Sequence, residues 1–173
     1  ITVEAWVAPG APLAKGKFMY IVGKGRTHRK GFTRNNQNYA LRLVGVDGGV
    51  GLSFLFRDER NSGDESWHRW TSNWILGAGE WHHVAVTYTF GKGESIRGYI
   101  DGNPTSGVWD MGGQTDLAPF VDNDELRIGA SQAGTSGIPY NGRLDEVAIY
   151  RQALSARRIS GRFKSLRREF VLN

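Results

Sequence analysis

Three indoles fall within eight positions, Trp67-His68-Arg69-Trp70 and then Trp74. The polar run Arg57-Asp58-Glu59-Arg60, continued by Asn61-Ser62-Gly63-Asp64, comes just before them. Sugars stack their C–H faces on exposed aromatic rings, while Arg, Asn and Asp fix hydroxyls or carboxylates. A second cluster places Arg26, Arg29, Lys30 and Arg34 within nine residues, with His28 among them. No carboxylate occurs between Glu4 and Asp47, so this stretch carries one sign. A guanidinium grips a sulfate or carboxylate through two parallel hydrogen bonds, a geometry an ammonium lacks. Together the clusters predict a binding surface made of Arg26, Arg29, Arg34, Arg57, Arg60, Trp67, Arg69 and Trp70. Trp70 and Trp74 share one strand parity and Trp67 has the other, so at least one indole belongs to the core.

The run Asp122-Asn123-Asp124-Glu125 gathers oxygen-bearing side chains in one loop. Hard cations need several oxygen ligands, and loop carbonyls supply the remainder. Asp122, Asp124 and Glu125 are therefore candidate calcium ligands, and a solvated acidic turn is the competing reading. Catalytic constellations are missing. His82 and His83 are neighbours on a strand and point to opposite faces, so they cannot share a metal ion. Glycosidases need two carboxylates flanking the scissile bond; on a strand that means alternate positions, whereas Asp145 and Glu146 are adjacent. No Gly-x-Ser-x-Gly, phosphate loop or His-Glu-x-x-His occurs, and there is no cysteine. These residues predict recognition without catalysis.

Elements of period two must hold these side chains. Ile1–Val7, Phe18–Lys24, Tyr39–Val44, Val50–Phe56, Trp67–Leu76 and Trp81–Tyr88 alternate or run β-branched and aromatic, separated by Gly, Pro and Asp turns. Ser95–Ile100 meets Asp101-Gly102, a strong hairpin signal, and further short strands are expected at 104–111, 126–130 and 142–150. Ser155 can cap a single short helix between Ser155 and Gly161, although Arg157 and Arg158 then oppose the helix dipole. About ten short strands at this spacing indicate a sandwich or barrel.

At 173 residues, with 24 Gly, six Trp, six Tyr and eight Phe, the chain suits one turn-rich domain. It opens directly on a strand, as a domain cut from a longer parent chain does. No apolar stretch has the length of a membrane span. The net charge of +5 is concentrated in the Arg26–Arg34 stretch and in a closing cluster of Arg151, Arg157, Arg158, Arg162, Lys164, Arg167 and Arg168. Such a field attracts anionic partners. No nucleic-acid recognition motif accompanies it, which disfavours that class.

Four segments resemble the laminin-G-like, concanavalin-A-like jelly-roll family of bacterial type. Thr2–Val7 resembles its opening strand, Gly79-Glu80-Trp81-His82-His83-Val84-Ala85-Val86-Thr87-Tyr88 its central strand, and Gly98-Tyr99-Ile100-Asp101-Gly102 the hairpin that follows. Gly142–Tyr150 with Ala153-Leu154-Ser155 is similar to its closing strand and helix. The resemblance implies an all-β, two-sheet antiparallel jelly-roll β-sandwich over residues 1–168, with one short C-terminal helix and a tail at 169–173. It also implies an extracellular or cell-surface setting. The expected function is a non-catalytic carbohydrate-binding or adhesive module of a larger secreted protein, favouring anionic polysaccharide. A structural protein–protein interaction domain and a polysaccharide-active hydrolase or lyase of the same fold are the alternatives. The chain departs from the family in the long basic stretch after Gly25 and in Arg157-Arg158 after its Ala-Leu-Ser.

Overall fold

Among the described residues, eleven strands form two antiparallel sheets. The structure, a computed structural model, describes residues 1–26, 30, 31, 36–131 and 139–171, with side chains in the last helix described as far as Arg167. The strands are β1 (Thr2–Pro9), β2 (Phe18–Lys24), β3 (Tyr39–Val46), β4 (Gly49–Arg57), β5 (Trp67–Leu76) and β6 (His82–Thr87). They continue with β7 (Arg97–Ile100), β8 (Asn103–Thr105), β9 (Gly107–Met111), β10 (Leu126–Ile128) and β11 (Gly142–Tyr150), and helix α1 (Ala156–Val171) follows. One sheet has the order β11-β1-β6-β7-β8 and the other β10-β2-β3-β4-β5-β9. The predicted two-sheet antiparallel sandwich is the observed fold.

Strand alternation builds the core between the sheets. Val3, Ala5 and Val7 of β1, Leu41 and Leu43 of β3, Leu52, Phe54 and Phe56 of β4, and Val84 and Val86 of β6 all join one buried cluster. Trp70 belongs to it as well and is 3% exposed. Its indole fills a slot in which a Cβ at Gly98 or Gly107 would collide with the ring. Trp70 is therefore a core residue, which corrects its place among the predicted ligand contacts: it faces the opposite side of β5 from Trp67. Gly107→Ala should cost about 2 kcal/mol by overpacking this slot. The check is the urea midpoint at unchanged slope; a wild-type midpoint would show that the ring can yield. Trp74, by contrast, is 53% exposed, beside a register shift between β4 and β5 that interrupts the alternation.

All eight residues of β1 are buried, including those of outward parity. The cause is α1, which lies over the outer face of the five-stranded sheet. Phe163 stacks on Trp6 at 5.6 Å between ring centroids, Arg162 bonds the Glu4 carboxylate, and Tyr150 donates to Glu4 at 3.2 Å. Ser155 caps the helix, its Oγ accepting the Arg158 N–H at 3.4 Å. The helix runs well past the expected stop at Gly161 and through part of the expected tail, reaching Val171. Ile159, Phe163 and Leu166 supply a stripe that continues beyond the glycine. With this face sealed, the outer face of the six-stranded sheet is the broad surface left open. Among the described residues, no helix is long and apolar enough to cross a membrane.

Candidate functional site

Cross-strand register places the polar side chains of the open face in rows. Tyr20, Arg42, Ser53 and Thr71 align across β2 to β5. Two residues along each strand, Ala40, Leu55, Arg69 and Met111 form the next row, and Arg57 faces Trp67 in the third. Residues two apart on a strand share a face, so these rows floor a single groove. It has a volume of about 560 Å³, and Phe18, Arg26, Arg42, Asp64, Trp67 and Arg69 are among its lining residues.

Arg42 is the unusual member. It is 4% exposed, and among the described residues it has no carboxylate partner. Nη2 donates to Ser53 Oγ at 3.2 Å, and Nε is buried without a hydrogen-bond acceptor among the described residues. The guanidinium lies 4.1 Å from the Phe18 ring centroid and 5.4 Å from that of Tyr20, which offsets part of its desolvation. Burial brings its pKa down to about 10; Tyr20 opposes part of that shift, and like-charge repulsion from Arg69 and Arg26 adds to it. At neutral pH the groove floor thus holds a desolvated cation.

Two more arginines flank it. Arg69 lies 5.1 Å from the Phe18 centroid and donates to Asp110 Oδ1 at 2.7 Å. Arg26 donates to Tyr20 Oη at 3.0 Å, and its guanidinium is 5.8 Å from the Trp67 ring. Its backbone is held at φ 61 with its N–H on Asn36 Oδ1 at 2.7 Å. Trp67 is half-buried, and Arg57 packs 4.9 Å from its ring centroid.

The structure therefore brings Arg26, Trp67 and Arg69 together as lining residues. Arg57 stands behind them as a buttress: it is 5% exposed and donates to Ser66 Oγ and the Gly63 carbonyl. Arg60 lies elsewhere, clamping the buried Asp58 carboxylate. Arg29 and Arg34 fall outside the described residues. Arg42 and Phe18 went unread in the sequence. The available signal was an Arg of outward parity set between Leu41 and Leu43 of a central strand.

The acidic loop is arranged around a different cation from the one expected. Lys24 Nζ donates to the carbonyls of Asp122 and Asp124 at 2.6 and 2.7 Å and lies 3.7 Å from Asp122 Oδ1. Asn36 Nδ2 donates to Asp122 Oδ2 and Asp124 Oδ2 at 2.5 and 2.8 Å. Glu125 is paired with Arg127. Among the described residues, no three His, Asp or Glu side chains converge as a metal site. The donor set of Asp122, Asp124 and Glu125 does not fit a bound calcium ion, because an ammonium and an amide already engage the oxygens it needs. His82 and His83 are structural too: Asp101 takes the His82 ring at 2.8 Å and the His83 backbone N–H at 2.9 Å.

The family model for the concanavalin A-like lectin/glucanases superfamily, in its laminin-G form, matches residues 1–160. The chain belongs to this superfamily. Solved structures with the same architecture include a heptameric pentraxin from Limulus polyphemus, at 17% identity and a TM-score of 0.57 over 92% of this chain and 67% of that one. A putative carbohydrate-binding protein from Bacteroides ovatus aligns at 19% identity and a TM-score of 0.60, over 92% of this chain and 39% of that one. The CBM40 of a Ruminococcus gnavus sialidase, solved bound to α2,3-sialyllactose, aligns at 14% identity and a TM-score of 0.63, over 94% and 80%. At these identities the likeness is one of fold. The superfamily member spans well under half of the Bacteroides protein. No curated protein sequence matches it.

Proposed function

We propose that this superfamily member is a carbohydrate-binding module of a larger secreted protein, and that its groove on the six-stranded sheet holds an acidic glycan without transforming it. The observation that carries the reading is Arg42, a buried guanidinium with no carboxylate partner among the described residues. Burying a charge without a counter-ion is costly, and a carboxylate or sulfate entering the groove supplies one. Arg26 and Arg69 add positive potential at the walls, and Trp67 and Phe18 give apolar surface for sugar C–H faces. The fold is also the one in which the Ruminococcus module carries sialyllactose.

Non-catalysis is supported by the carboxylates in and beside the groove. Asp64 is the one carboxylate among the described lining residues, and Asp110, bonded to the lining residue Arg69, has both oxygens engaged, by Arg69 at 2.7 Å and by Thr71 at 3.1 Å. A general acid and its partner carboxylate are not set up by that arrangement.

On a glycan array, uronate-bearing or sulfated glycans should be retained and their neutral counterparts lost. Retention should weaken by about tenfold or more as salt rises from about 0.1 M toward 1 M, where the Debye length shrinks from ~10 to ~3 Å. A blank array beside retained protein partners would overturn the reading in favour of a protein-interaction domain.

A further inference from the structure

The loop Asp122–Glu125 has the oxygen donors of a cation site and a lysine where the ion would be. Two main-chain carbonyls, of Asp122 and Asp124, receive the Lys24 ammonium at 2.6 and 2.7 Å, and Asp122 Oδ1 lies 3.7 Å away. The other oxygens of the two carboxylates share the amide hydrogens of Asn36; Asp122 Oδ1 accepts the Asp124 N–H at 3.0 Å and Asp124 Oδ1 the Glu125 N–H at 2.7 Å. Asp124 is 4% exposed and the Lys24 side chain 25%, so the cluster is largely withdrawn from water. Without a cation, two carboxylates and two inward carbonyls would repel one another in a low-dielectric pocket.

We infer that Lys24 is a tethered cation that takes the place of a divalent ion in this loop, and that it sets the groove without metal. The link to the groove runs through Asn36. Its Nδ2 is fixed by Asp122 and Asp124, and its Oδ1 accepts the Arg26 N–H at 2.7 Å, holding Arg26 at φ 61. Gly25 permits the close approach, since a Cβ there would collide with the Asn36 carbonyl. Lys24 is thus a positioning residue for Arg26, whose guanidinium reaches the groove. This second step rests on the proposed glycan-binding reading; the replacement of the ion does not.

The test separates the two. Melting temperatures are measured for wild type and Lys24→Ala in chelator and in about 10 mM calcium chloride, a concentration suited to weak oxygen sites. Wild type should melt alike in both. Lys24→Ala should melt about 5 °C lower in chelator and regain most of that in calcium, because an ion bound to the native state stabilises by linkage. Lys24→Gln, which retains length and a donor but no charge, serves the same comparison if the alanine variant does not fold in chelator. Calcium stabilisation of wild type, an unchanged melt of Lys24→Ala, or a lowered melt that calcium leaves untouched would each overturn the inference. No glycan enters these melts, so they stand even if the groove binds none. If it does bind, Lys24→Ala should lose affinity in chelator and recover it with calcium, whereas Arg42 variants should show no such recovery.

Discussion

Arg42→Met should raise the melting temperature of the domain while weakening its hold on an acidic glycan by about two to three orders of magnitude. Both effects follow from the same burial. The guanidinium is 4% exposed, and its polar contacts among the described groups are the hydroxyls of Ser53 and Tyr20, with no carboxylate. Replacing a poorly compensated buried charge by an apolar side chain of similar length commonly stabilises, here by about 1–2 kcal/mol after the lost contacts to Phe18 and Tyr20 are offset. Met also keeps the packing between the rings of Phe18 and Tyr20. In the complex the sign reverses, because the ligand anion would be left facing a thioether in a desolvated groove. Few substitutions combine higher stability with lost function, and those that do mark a residue kept for its ligand. Thermal denaturation and calorimetric titration of the same preparation read the two effects. A variant that melts lower and binds equally would make Arg42 a structural residue and remove it from the site.

The second large effect is expected at Asp58. Its side chain is fully buried and accepts from Arg60 Nε and Nη2, from the Arg60 backbone N–H at 3.1 Å and from the His68 ring at 3.0 Å. The other ring nitrogen of His68 lies 3.0 Å from the Gly113 carbonyl, so one carboxylate ties the chain after β4 to the chain after β9. Removing one partner of a buried ionic cluster strands the rest, and Asp58→Ala should cost about 3 kcal/mol, a fall of about 10 °C in Tm. Burial by itself pushes this carboxyl up, but the bonds from Arg60 and His68 outweigh it and hold the group below its ordinary range. Glu4 behaves alike: burial raises it, and His83 and Arg162 more than reverse that. A carboxyl depressed in the folded state stabilises fully above its unfolded pKa, roughly 4. That contribution is lost as pH falls through the folded value. Stability should therefore decline below about pH 4, and less steeply in Asp58→Ala than in wild type. Equal acid sensitivity in the two proteins would remove Asp58 from this account.

The strands were legible because their period of two reflects a physical surface with one buried side, and Asp101-Gly102 marked its hairpin through the positive φ of both residues. Parity alone separated Trp67 from Trp70 without saying which side was core; that depended on Gly98 and Gly107, which admit the Trp70 indole from other strands. Arg42 is not singled out by the sequence because its burial comes from Phe18 and its strand neighbours closing around it. The length of α1 was hidden by Gly161 and the surrounding basic residues, since the Phe163 stack on Trp6 is a contact between opposite ends of the chain. The calcium expectation rested on the residues of Asp122–Glu125 alone. Lys24 is 98 residues from the Asp122 carbonyl it bonds, and nothing local to Asp122–Glu125 announces it.

The central claim is that the groove recognises negative charge on a glycan through Arg42. One acidic polysaccharide and its carboxyl-reduced form, matched in length and linkage, should be titrated calorimetrically into the wild-type domain and into Arg42→Met. The account predicts binding of the acidic form to wild type alone, with the reduced form at least about 30-fold weaker, the lower end of the cost of losing one partner of a desolvated pair. Equal affinity of wild type for the two forms, or equal affinity of the two proteins for the acidic one, would contradict it.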